Sequence, residues 1–283
     1  MSPTRCGKML LLMTLLAVLS GTGCGAEPLR LWEVQGRREV SLASAAKSFG
    51  EASMVFVGEL HDRPSHHDGQ LQIIQALHDA GKPLAVGLEM FTARDQAILD
   101  RWIQGAMEEA EFVNHFQANW SESWRLYRDI FLYCRDRKIP LVGLNVPREI
   151  TAQVARKGFA SLTREQIGML PPITCNVNSA YMELMRQAHG HAMSESDFTQ
   201  FCEAQLVWDT SMALHAMRYL EVHKDQTLVV LTGAVHAWKQ GVPRQVRELS
   251  PHRQFIVILP EVPGTYDKET VSLEDCDFLL LGV

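Results

Sequence analysis

The sequence predicts an α/β domain: a mainly parallel β-sheet flanked by helices, with a small helical insertion or lobe. Three observations predict it. Short apolar, β-rich runs recur along the chain and stop beside Gly, Glu, Asn or His, as strands buried on both faces do. Segments of helical period separate them, and that alternation favours parallel pairing under helices on both faces. Two further stretches, at about 93–124 and 158–197, hold more helix than a crossover needs and supply the lobe.

In chain order, Leu42 to Phe49 reads as a short helix and Met54 to Gly58 as the first buried strand. A helix over Asp68 to Ala80 leads to a second strand over Pro83 to Leu88. Helices over Asp95 to Ile103 and Ser123 to Arg137 precede the third strand, Ile139 to Leu144. Pro171-Pro172 breaks the second helical stretch. A helix over Gln200 to Val222 then leads to a fourth strand, Thr227 to Thr232, and Gln254 to Leu259 closes the series.

With 283 residues and 46 % hydrophobic content, the chain can build a sizeable core. A formal net charge of −6, with Lys and Arg interleaved among Asp and Glu, offers no basic footprint, so nucleic acid is excluded as a partner.

The first two dozen residues follow another pattern. Arg5 and Lys8 precede an apolar run from Met9 to Leu19, then small residues and Cys24. That is the layout of an export signal, too short for a permanent membrane span. Residues 1–24 thus read as a leader and 25–283 as the folded domain. Cys24 stands where a lipoprotein carries its lipid, a membrane anchor; Gly21 replaces the leucine usual three residues earlier, and ordinary cleavage after Ala26 is the alternative. Export leaves Cys134, Cys175, Cys202 and Cys276, either as buried thiols or in one of three pairings.

In open parallel sheets, ligands bind beyond the carboxyl ends of the strands. Those ends carry Gly58-Glu59-Leu60-His61-Asp62 with His66 and His67, then Leu88-Glu89-Met90, then Asn145, then Gly233-Ala234-Val235-His236. One such residue alone reads as a cap or an ion-pair partner. Gathering Glu59, His61, Glu89 and His236 at one rim costs desolvation without return unless the set has a use. Two carboxylates and two imidazoles suit a divalent metal, acid/base work on water, or hydrogen bonding to a ligand.

At these residues the chain resembles the haem-binding uptake family named for ChaN, within the wider Tiki and erythromycin-esterase superfamily. The resemblance runs from about Met54 to about Arg247 and rests on the rim motifs together with Trp120, Trp124, Tyr127, Asn145-Val146-Pro147-Arg148, Gln205, Asp209, Met212 and Gly241-Val242-Pro243. It implies an exported haem-binding lipoprotein serving iron uptake in a bacterial cell envelope, anchored at the outer membrane on its periplasmic face or its surface. It also implies a homodimer around paired haems and a tyrosine as iron ligand. Among five tyrosines Tyr181 is favoured, with His189 and His191 two turns on to bond a propionate; Tyr127 and His115 are further candidates. The alternative is a metal-dependent hydrolase, an esterase or protease, built on Glu59, His61, Glu89 and His236.

Overall fold

The computed structural model describes residues 29–49, 51–189 and 193–283. Among them, eight strands form one sheet: β1 (Arg30–Glu33), β2 (Arg38–Ser41), β3 (Met54–Glu59), β4 (Leu84–Thr92), β5 (Leu141–Asn145), β6 (Thr227–Gly233), β7 (Phe255–Pro260) and β8 (Phe278–Leu281). Their order is β2-β1-β8-β7-β3-β6-β4-β5. From β8 to β5 every pairing is parallel, while β1 runs antiparallel to both β8 and β2. The expected mainly parallel sheet is therefore present, with three more strands than the sequence pattern revealed.

The additional strands have a physical reason for escaping notice. β1 and β2 are four residues each, joined by a turn in which Arg37 adopts φ 45°, and their outer positions are solvated. β8 is a four-residue apolar run, Phe278-Leu279-Leu280-Leu281, which periodicity alone cannot assign.

Helices cover both faces. On one side lie α1 (Leu42–Phe49), α2 (Pro64–Asp79), α3 (Gln96–Gln104), α4 (Glu109–Asn119) and α5 (Trp124–Arg137). Their shared core is aromatic: Trp102 stacks on Phe112 at 4.2 Å, and Phe116, Trp124 and Phe131 close around them. Trp102 is wholly buried, yet its Nε1 donates to the Phe131 carbonyl at 3.0 Å, so its burial leaves no polar atom stranded. Each such ring contributes on the order of 3 kcal/mol.

The opposite face is covered by α9 (Glu195–Val222), α10 (Ala234–Ala237) and α11 (Val242–Leu249), which pack on Phe56, Leu228, Val230 and Leu259. Between β5 and α9 the chain makes α6 (Arg148–Lys157), α7 (Arg164–Met169) and α8 (Ser179–His189). These helices build two small apolar clusters of their own on α9, around Ile150 and Val154 and around Tyr181, Met185 and Phe198.

One irregularity shapes the functional rim. The β4–β5 register follows Leu88 opposite Gly143 and resumes only at Thr92 opposite Asn145, so β4 arches between them, at Glu89 to Phe91. The arch brings the Thr92 carbonyl within 2.2 Å of where a Cβ on Gly143 would stand, which restricts that position to glycine.

Candidate functional site

β3 ends at Glu59, and the chain turns at once into α2. The Leu60 N–H donates to His66 Nδ1 at 2.9 Å, which holds this turn and fixes His66 as an acceptor. Burial lowers the His66 pKa, in keeping with a neutral ring.

Glu59 is almost fully buried and gathers three side chains. Its Oε1 accepts from His61 Nδ1 at 2.8 Å and from the Tyr127 hydroxyl at 2.7 Å. His67 Nδ1 lies 2.6 Å from Oε2 as an ion-pair contact, while its Nε2 meets the His61 carbonyl at 3.1 Å. Trp120 Nε1 donates to the Tyr127 oxygen at 3.1 Å, and its ring meets that of His61 edge-on at 5.0 Å.

The electrostatics follow from this packing. Burial opposes ionisation of Glu59, but the hydrogen bonds from His61 and His67 prevail and hold its carboxyl below the usual range. Burial likewise opposes protonation of His61 and His67, and the Glu59 carboxylate overcomes it, raising both. Tyr127 is pushed far upward by burial and by Glu59, so it stays a phenol.

A second cluster adjoins the first. Glu89, on the arch of β4, accepts the Gly233 N–H at 2.7 Å through Oε2 and faces His236 Nε2 at 3.7 Å through Oε1. His236 Nδ1 pairs with Asp209 Oδ1 at 2.7 Å. Burial opposes the charge on His236, but Glu89 and Asp209 outweigh it and lift its pKa to about 9. Asn145 anchors the arch by donating to the Glu89 carbonyl at 2.8 Å.

Gly233 joins the clusters. A Cβ there would stand 2.9 Å from His61 Cε1, so its absence lets the imidazole lie against β6. With Nδ1 committed to Glu59, His61 presents its remaining nitrogen, and its side chain is 36 % exposed.

Both clusters open into a crevice with two chambers. The smaller, about 450 Å³, lies between Trp120, Arg94, Arg148 and Trp208. The larger, about 1050 Å³, is walled by Asp62, Gln205, Trp238 and Tyr266. His61 and His236 line both. Together they have the size of a site for a sizeable organic ligand.

The structure thus brings Glu59, His61, Glu89 and His236 to one rim, with Tyr127 joined to them through Glu59. Tyr181 lies apart, buried among Met185, Phe198, Cys202 and Leu206 with the Arg244 guanidinium over its ring. Its hydroxyl is buried without a hydrogen-bond partner among the described residues. Trp238 packs on that cluster and also lines the larger chamber, so Tyr181 stands one layer behind the crevice wall. His115 is half-buried on α4, where its carbonyl accepts from Asn119, and it does not line the crevice. The side chain of His189, and all of His191 and Cys24, lie outside the described residues. Cys134, Cys175, Cys202 and Cys276 are free thiols.

Among the described residues, no three or more His, Cys, Asp or Glu side chains are arranged to hold a metal. The rim carboxylates turn instead toward imidazoles, a phenol and a backbone amide. The expected metal set of Glu59, His61, Glu89 and His236 is accordingly unsupported.

Two partners carried no role in the sequence reading. His67 sits beside the motif yet is the second imidazole on Glu59. Asp209 shares the inward stripe of α9 with Gln205, Met212 and Ala216. An acid on a mainly apolar helical face is the signal that could have found it.

Fold and site define an α/β protein of the kind that holds carboxylate-oriented imidazoles at the carboxyl end of a buried, mainly parallel sheet. The chain belongs to the haem-binding uptake family of the Tiki superfamily, ChaN, whose family model matches residues 45–246. ChaN of Campylobacter jejuni, solved with cofacially bound haem, has a TM-score of 0.69 at 18% identity, covering 90% of this chain and 96% of that one. An erythromycin esterase, EreC, in its open conformation has a TM-score of 0.48 at 16% identity, covering 84% of this chain and 78% of that one. Protein RETICULATA-RELATED 5, chloroplastic, of Arabidopsis thaliana is 21% identical over 248 residues, 81% of this chain and 34% of that protein. The chain spans about a third of that relative's length.

Proposed function

We propose that this protein binds haem in the crevice above β3, β6, β4 and β5, as an exported lipoprotein, anchored through Cys24, that serves haem uptake at the bacterial cell envelope. The observation that carries the reading is membership of a haem-binding family combined with a ligand-sized, aromatic-walled crevice at the usual place for ligands in such sheets.

The residues present fit the group. His61, oriented through Nδ1 by a carboxylate, has the arrangement that tunes an imidazole toward iron. Tyr181, the phenol that the resemblance favours, has a buried hydroxyl with no hydrogen-bond partner among the described residues, but it stands behind Trp238 and does not line the crevice, so His61 is the ligand that the geometry favours. Bound haem would supply the iron that the uptake role requires. A second copy of the chain completes the site around paired haems.

Absorbance titration of the full chain in detergent with ferric haem tests the reading. Saturable binding with a Soret band supports it. Tyr181→Phe and His61→Ala, run in parallel, separate the two ligands by which one abolishes the ferric spectrum. Absence of saturable binding sinks the haem reading.

A second reading rests on the Asp209–His236 pair beside Glu89, an oriented imidazole that, with its pKa lifted to about 9, acts as a general base only in alkaline solution. In it the rim activates water for ester or peptide cleavage. Turnover of simple esters that disappears in His236→Asn supports this reading; no turnover in the wild type removes it.

A further inference from the structure

The smaller chamber holds two arginines for which the fold has no use. Arg94 lies in the turn after β4, and Arg148 opens α6 just past β5. β4 and β5 are neighbours, with Thr92 opposite Asn145, so the two arginines leave adjacent strand ends and line one chamber.

Some surface arginines take carboxylate partners, Arg30 with Glu39, Arg101 with Glu111, Arg128 with Glu109 and Arg244 with Glu248, while others, such as Arg125, Arg156 and Arg164, are exposed with no ion pair among the described residues; Arg94 and Arg148 differ from these in lining one chamber together. Arg94 and Arg148 are exposed, and neither guanidinium has a hydrogen bond or ion pair among the described residues.

Two of the three acids that line the chamber are engaged elsewhere. Glu89 faces Gly233 and His236, and Asp95 Oδ2 accepts from the Thr92 N–H at 3.2 Å and its hydroxyl at 2.6 Å. Glu149 follows Arg148 on the first turn of α6 and is exposed. That helix begins without a side-chain cap, so its first N–H groups add positive potential at the same place. Trp120 and Trp208 supply aromatic surface to the chamber.

We propose that the smaller chamber is a carboxylate-recognition site, in which Arg94 and Arg148 each take one carboxylate of a flat dianionic ligand whose ring lies against Trp120 and Trp208. A planar guanidinium matches a carboxylate with two parallel hydrogen bonds, which lysine cannot reproduce. The identity of the ligand as a tetrapyrrole rests on the haem reading; the carboxylate chemistry does not.

The test removes iron from the question. The full chain in detergent is titrated with metal-free protoporphyrin IX and with its dimethyl ester, followed by quenching of tryptophan fluorescence. Arg94→Gln, Arg148→Gln and the double variant are run beside it, with thermal melts to confirm folding. The diacid is expected to bind at least about tenfold more tightly than the ester. Each single substitution lowers diacid affinity by about tenfold, and the double variant loses the preference while ester affinity stays put.

Equal affinity for diacid and ester overturns the proposal and leaves the haem reading standing, as does a parallel loss of both in the variants. If neither porphyrin binds, the haem reading fails and glutarate decides. Saturable glutarate binding that the double variant abolishes keeps the carboxylate site with a small dicarboxylate as occupant, and no glutarate binding refutes it.

Discussion

Glu59→Gln removes one charge from the buried carboxylate at the centre of the first rim cluster. In the wild type that carboxylate receives His61, His67 and Tyr127. The amide that replaces it has one acceptor oxygen, and its NH₂ meets donors where an oxygen accepted before. His67 is 2 % exposed and Glu59 0 %, so breaking their pair leaves an imidazolium buried without compensation, a loss of about 3–5 kcal/mol. The contact with the more exposed His61 is screened by water and adds less. Against a total stability of about 5–15 kcal/mol, the loss is severe but measurable.

The pH dependence gives the sharper signature. Glu59 has a folded pKa below its ordinary 4.5, so its contribution is present above that value and fades as pH falls through the folded one. His61 and His67 have folded values above their ordinary 6.5, so theirs is complete below 6.5 and fades as pH rises through the folded ones. The stability difference between wild type and variant is therefore greatest between pH 4.5 and 6.5. At alkaline pH it shrinks toward that of a neutral hydrogen bond, about 1 kcal/mol. Urea unfolding at a series of pH values reads this directly. A variant within about 1 kcal/mol of wild type at pH 5.5, or a difference that is flat with pH, would refute the ionised cluster.

Three further outcomes follow from other contacts. Asp209→Asn removes an anion that supports the His236 imidazolium, so the His236 titration, followed by NMR, moves down from about 9; a titration that stays near 9 assigns the shift to Glu89 alone. Gly143→Ala drives a Cβ into the Thr92 carbonyl and should cost at least about 2 kcal/mol in thermal or urea unfolding, and a neutral result contradicts the arch of β4. Gly233→Ala pushes on the His61 ring rather than on backbone, so it should leave stability within about 1 kcal/mol of wild type while shifting the His61 NMR titration; an unmoved titration places His61 away from β6.

Much of the architecture was legible because buried parallel strands announce themselves. Met54 to Glu59 and Thr227 to Gly233 are unbroken apolar runs that end in the residues of the rim. The boundaries were less so. α2 begins at Pro64, four residues before the first helical position that the pattern suggests, because a proline can open a helix and the two following histidines face inward. At the rim, residue type revealed which groups gather but not how they pair. Sequence spacing places Glu59, His61, Glu89 and His236 together, and only coordinates show Glu59 bonded to Tyr127, 68 positions away. The unused arginines were invisible for a related reason: a missing partner is a property of three-dimensional surroundings.

The sheet order carries a consequence for how the molecule comes into being. β3 finds its neighbours in β6 and β7, and Arg30 at the start of β1 pairs with Leu281 near the end of the chain. The bond between Glu89 and Gly233 spans 144 positions. Contacts so distant in sequence form slowly, because the loop between them must close before any reward arrives. Two of the central sheet's pairings must wait for β6, so an emerging chain has neither a finished sheet nor a rim until most of it has been made. Any machinery that handles the nascent protein meets a long interval of unsatisfied strand edges, and the binding crevice is among the last features to exist.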